Sequence, residues 1–210
     1  MKKQRFDRMT LFLIPIGVAI NFVGGQLALL LKLPLYLDAI GTIIVGALCG
    51  GIPGAIVGLI SNVLNSLTYP LTLFYGLLNI VFGLSAGWMS QRGVFLKLWK
   101  TLLSTLWYAF VGGGIGAVMT WVLYGFDFGT GNSAPIAITI YKLLGEPSGF
   151  LKFTTQFIAE FSMDIVDKLL TLLAVFFILR AMPVKILSKL PLGEVYIKKT
   201  ALLKKRETAD

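Results

Sequence analysis

Between Gly149 and Met182 the chain is as apolar as a membrane-crossing helix, yet Gln156, Glu160, Asp164 and Lys168 interrupt it at every fourth residue, with Asp167 beside the last two. Residues four apart stack on one face of an α-helix, so these side chains form a single polar stripe. A carboxylate or ammonium turned toward lipid costs several kcal/mol, so such a stripe must face a bundle interior or a water-filled cavity. The segment therefore demands other helices around it. Downstream, Leu169 to Leu179 is almost wholly apolar, and Arg180 and Pro183 close the run. The stripe can be read in two ways. Asp164 four residues before Lys168 has the acid-before-base order that pairs well within one helix, and polar residues also hold helices together in membranes. Against these structural roles stands a wall facing a ligand, which is the default reading of an intramembrane ionisable group.

Composition says where such a bundle lives. Hydrophobic residues make up 56% of the chain and charged residues 14%, with a mean hydropathy of +0.82. Soluble domains run at about 45–50% apolar and 25% charged. The expectation is an all-α integral membrane protein with almost no soluble domain. The net charge of +9 lies in basic residues that flank apolar runs, so it speaks for orientation in a membrane rather than for nucleic acid. The chain has no histidine, which excludes His-dependent proteases, haem sites and most zinc sites. No metal and no cofactor is expected. The single Cys49 reads as a small packing residue. The opening MKKQRFDR resembles the start of a signal peptide, but Leu11 to Leu31 is long enough to span and no clear cleavage site follows, so a retained first helix is expected.

Six membrane helices follow from the apolar runs, at about 9–31, 39–49, 53–67, 71–89, 96–123 and 149–182. The first carries a small or polar face at Gly17, Asn21, Gly24 and Ala28, suited to close approach by another helix, in this chain or a partner. The second and third are too short for a straight span of roughly 20 residues. A turn at Cys49-Gly-Gly-Ile-Pro-Gly54 joins them, because Pro53 removes a backbone donor and the glycines weaken the helix. Gly112-Gly-Gly-Ile-Gly116, inside the fifth helix, lacks the Lys-Ser/Thr of a phosphate loop and reads as a site of close helix approach. Tyr124 to Ser148 is the longest polar stretch, a candidate binding loop whose part from Pro135 to Leu144 can form a surface helix. Residues 1–183 thus form one membrane domain, and 184–210 a basic tail expected to lie at the surface.

Charge orients the bundle. Lys2, Lys3, Arg5, Arg8, Arg92, Lys97, Lys100, Arg180 and the tail gather on one side, which the positive-inside rule makes cytoplasmic, with both termini there and the protein in the cell membrane. The loops at 32–38, 67–71 and 124–148 then face outward, where a pocket would open.

This layout resembles the substrate-binding S component of an energy-coupling factor (ECF) vitamin transporter. The resemblance rests on the Gly-Pro-linked short helices, on Leu37-Asp-Ala-Ile-Gly-Thr-Ile-Ile-Val-Gly46 and Gly54-Ala-Ile-Val-Gly-Leu-Ile-Ser-Asn62, and on Asp167-Lys168 in the last helix. It covers about residues 9 to 183. By analogy the chain would bind a vitamin from outside and topple in the membrane to release it. Its partners would be a transmembrane coupling protein and two cytoplasmic ATPases, since no nucleotide-binding motif is present here. The resemblance implies a contact face for the coupling protein at Gly17, Asn21, Gly24 and Ala28, which departs from the family's Ala-x-x-x-Ala spacing. It implies a substrate pocket at Tyr36, Asp38, Tyr69, Tyr75, Asn79, Asp127, Thr130, Asn132, Gln156 and Glu160. The LDAIGT stretch and long fifth loop resemble a cobalamin-type S component most, with pantothenate or riboflavin as alternatives. A carboxylate vitamin would want a dedicated cation, for which Lys152 or Lys168 could serve. Two other classes stay open: an intramembrane enzyme using Glu160, Asp164 and Asp167, and an assembly or signalling partner without a ligand.

Overall fold

The computed structural model describes residues 7–129, 133–144 and 148–197, and every regular element among them is a helix. In order the longer helices and their last short turn are α1 (Arg8–Leu30), α2 (Ile40–Cys49), α3 (Gly51–Asn65), α4 (Thr72–Gln91), α5 (Leu98–Leu123), α6 (Ala134–Leu144), α7 (Gly149–Ala181) and α8 (Val184–Leu187), with a 3₁₀ turn, Val94–Leu96, before α5. Helices α1, α4 and α5 are long and apolar enough to cross a membrane. At about 1.5 Å per residue α7 is longer than any of them, but its polar stripe breaks the apolar run.

The ends of α1 follow from local chemistry. Asp7 Oδ1 accepts the Thr10 amide at 2.7 Å, satisfying one of the free donors of the first turn. At the other end Lys32 takes a left-handed φ of 51°. The Leu33 amide then donates back to the Ala28 carbonyl and the Lys32 amide to Leu29, a Schellman closure with lysine where glycine is usual.

Helices α2 and α3 form the expected short pair, but the turn between them is the single residue Gly50, at φ 108°. Pro53 does not break the chain. It sits in the first turn of α3, where its missing N–H would have had no intrahelical partner, so the helix begins before it. Helix α4 packs along this pair so closely that a Cβ on Gly87 would lie 2.1 Å from the Gly51 nitrogen.

The small face of α1 is occupied within the chain. A Cβ on Gly17 would press on Val45, Val57 and the Gly41 carbonyl, and one on Gly24 would meet the Leu37 carbonyl at 2.3 Å. Asn21, fully buried, accepts from the Gly41 amide at 2.7 Å and donates to Thr42 Oγ1 at 2.8 Å and Ser61 Oγ at 3.0 Å. It thereby caps the start of α2, whose own N-cap position, Ala39, has no side chain to do so.

The described part of the tail also differs from expectation. Residues 184–197 fold back on the bundle with Leu187, Leu190 and Tyr196 buried in the core. The Leu192 amide donates to the Leu48 carbonyl at 2.9 Å, and the Tyr196 and Ser90 hydroxyls share a hydrogen bond of 2.7 Å. Ser90 Oγ in turn donates to the Ala47 carbonyl at 2.6 Å. The tail therefore satisfies the Leu48 carbonyl, and Ser90 of α4 the Ala47 carbonyl, at the end of α2, which the helix cannot satisfy itself, and the packing continues past residue 183.

Candidate functional site

A cavity of about 360 Å³ opens at the end of the bundle where residues 31–39, 66–71 and 124–129 meet. Its size falls within the range of about 300–1,000 Å³ found for small-molecule sites. Gln26, Tyr69, Thr72 and Tyr124 lie toward the loop end, while Phe82, Gly112, Asp164 and Lys168 lie within the span of the long helices. Beyond Lys168 the bundle is filled by Val111, Leu172, Val175 and Leu179, all buried.

The inner end is a charge cluster with two tasks. Lys168 Nζ donates to Asp164 Oδ1 at 3.0 Å and to Asp167 Oδ2 at 2.6 Å, so the pairing expected along the helix is present and extended to the adjacent carboxylate. The other oxygen of Asp167 leaves the helix altogether. It accepts the backbone amides of Tyr36 and Leu37 at 2.9 and 2.8 Å. This draws the 31–39 connection into the protein and holds Leu37 at φ 53°, a left-handed conformation that a branched side chain rarely adopts. Such strain survives only where the surroundings impose it, and it concentrates at ligand clamps. Lys168 also lies over the Phe82 and Tyr36 rings, at 5.1 and 5.8 Å from their centroids.

Closer to the mouth, Glu160 is buried and held by Gln156 Nε2 at 2.6 Å and Ser133 Oγ at 3.3 Å. Tyr75 and Thr120 hydroxyls bond at 2.6 Å across the cavity wall. The glycine run of α5 acts here: it forms a π-helical turn over Phe110–Ile115, a distortion common at functional sites. A Cβ on Gly113 would lie 2.7 Å from the Phe161 Cα, so glycine there lets α5 pass α7 closely, while Gly112 lies against the Asp164 carboxylate.

Of the residues named from sequence, Tyr36, Asp38, Tyr69, Tyr75, Asn79 and Glu160 line one cavity. Gln156 stands behind the wall, orienting Glu160. Asp127 is exposed off the wall and pairs with Lys152 at 2.5 Å, where that hydrogen bond and the Phe128 amide hold its carboxyl below the usual range. Thr130 and Asn132 lie outside the described residues. Asp164 and Lys168, read as a stripe of uncertain facing, belong to the wall, whereas Asp167 anchors the loop. Of the small face of α1, read as suited to close approach within this chain or by a partner, Gly17, Asn21 and Gly24 meet α2, α3 and the 31–39 connection, and Ala28 is buried. Asn62 and Asn65 at the end of α3, and Thr120 and Ser133, also line the cavity though the expected pocket did not include them; the asparagines ending an apolar helix beside a loop were the available signal. Among the described residues no three acidic or cysteine side chains converge as a metal centre would require. Comparison with known proteins found no matching family model, no matching curated protein and no matching solved structure.

Proposed function

We propose that the chain is the substrate-binding membrane subunit of an energy-coupling factor transporter, taking a vitamin-like molecule from outside and releasing it inward. The observation that carries this reading is the cavity, open among three loops at one end and closed beneath by packed apolar side chains. That form suits a carrier of single molecules rather than a pore. In this reading α1, α2, α3, α4, α5 and α7 make six crossings. Helix α2 is short because the 31–39 connection dips into the protein, which is tolerated where irregular backbone is covered by protein or lines a cavity. Arg92, Lys97, Lys100 and Arg180 lie away from the cavity mouth, so both termini are cytoplasmic. ATP hydrolysis belongs to two partner ATPases, coupled through a transmembrane partner. With the small face of α1 occupied, that partner would dock on exposed apolar surface such as Phe12, Val23, Leu27 and Val63.

The volume bears on the substrate. At about 360 Å³ the cavity sits near the lower end of small-molecule sites, which favours a compact vitamin over a corrinoid. Native mass spectrometry of protein purified in detergent from cells with a mixed vitamin supply tests the proposal. One retained vitamin, or co-purifying ATPase subunits, supports it. A chain with neither is an assembly or signalling partner instead.

A further inference from the structure

We infer that the cavity is built for a cation rich in hydrogen-bond donors, a compact organic ammonium or protonated nitrogen heterocycle, and selects against carboxylates. The inference deepens the transport reading and rests on it for taking this cavity as the substrate site.

Charge is the first argument. Asp38, Glu160 and Asp164 contribute carboxylates to the wall, while Lys168 is its one cation among the described residues. That cation is already engaged by Asp164 and by Asp167 behind the wall. Lys152, the other cation that a carboxylate ligand could have used, is held by Asp127 off the wall. An incoming anion would therefore meet three carboxyl groups and, among the described residues, no cation that is not already paired.

Unmet hydrogen-bond acceptors beside the cavity point the same way. Asp164 Oδ2, Asn79 Oδ1 and Asn65 Oδ1 are shielded from solvent with no hydrogen-bond partner, and all three residues line the cavity. Asp164 is 1% exposed and Asn79 4%. Buried polar atoms are nearly always satisfied, so an unmet group calls for an explanation. Here the unmet groups are all acceptors on cavity-lining residues of α3, α4 and α7, so a ligand carrying several N–H donors would match them once their side chains turn toward it. A carboxylate presents acceptors in any rotamer, so Asp164 carries the argument. The Tyr36, Tyr75 and Phe82 rings complete a lining that favours a cation over a neutral ligand.

Three compounds of one shape isolate the charge: tryptamine, tryptophol and indole-3-propionate. With the full chain in lipid nanodiscs at neutral pH, calorimetry is expected to give tryptamine at least about tenfold tighter than tryptophol, and the propionate weaker still. Asp164→Asn should bring tryptamine to within about twofold of tryptophol. Because Asp164 also supports Lys168, Glu160→Gln serves as a second variant and should weaken tryptamine selectively. Equal responses to the three compounds, including no response to any, overturn the inference, as does tightest binding of the propionate. Co-purification with ATPase subunits is read separately. Its failure, with no vitamin retained either, beside a clear preference for tryptamine would sink the transporter reading and leave the charge assignment standing.

Discussion

Replacing Asp167 with alanine probes the link between the polar stripe and the loop it holds. The variant removes the acceptor for the Tyr36 and Leu37 amides, at 2.9 and 2.8 Å, and one of the two carboxylates on Lys168. Hydrogen bonds to a charged acceptor contribute about 1.5–3 kcal/mol each, giving about 3–6 kcal/mol for the two. Two effects reduce that figure. Leu37 would relax from its left-handed conformation, recovering about 1–2 kcal/mol, and the freed amides border a cavity that admits water. A net loss of about 2–4 kcal/mol in the docking of the connection follows, and at 1.4 kcal/mol per factor of ten this is an increase in opening of about 30- to 700-fold. Hydrogen exchange by mass spectrometry on peptides covering residues 33–38, in nanodiscs, reads it directly. Asp167→Asn keeps an acceptor oxygen and should fall between wild type and alanine. Unchanged exchange over 33–38 in the alanine variant would refute the anchoring role.

Two further outcomes test the packing and the rim. Gly87→Val drives side-chain atoms into the Gly51 backbone, which cannot rotate away, so a loss of about 3 kcal/mol and a lower thermal midpoint in detergent are expected. Gly149→Ala, with open space around the site, should leave that midpoint unchanged or raise it. At the rim, Lys152 holds the Asp127 carboxyl below its ordinary range, so the pairing stabilises at pH above the ordinary aspartate value of about 3.9 and is lost as pH falls through the lowered one. The carboxyl ¹³C shift of Asp127, assigned with Asp127→Asn, should titrate lower in wild type than in Lys152→Met. High salt should narrow the gap, because the pair is exposed. Identical titration at low salt would show that the pair does not form.

The periodicities that can be read along a chain are those of single helices, and these were legible. The i, i+4 stripe of α7 and the small face of α1 are properties of one element and emerge as such. What each face meets is a property of two elements. Asp167 shares a helix turn with Asp164 and Lys168, yet its partners are amides about 130 positions earlier, and backbone donors leave no mark in a sequence. For the same reason the spacing of Gly17, Asn21, Gly24 and Ala28 revealed a close approach but not whose. Pro53 misled because proline's effect depends on its distance from the helix start, and that start was set by Gly50. The docked tail escaped notice because its basic residues outweigh the few apolar ones, Leu187, Leu190 and Tyr196, that do the packing.

Helix α2 owns neither of its ends. Its first turn is closed by Asn21, made earlier, and its last carbonyls by Ser90 and Leu192, made later. At ten residues it is too short to insert or persist alone. The links that finish α2 are thus long-range ones: its first turn is completed by a residue before it in the chain, and its Leu48 carbonyl only once the segment around Leu192 has docked.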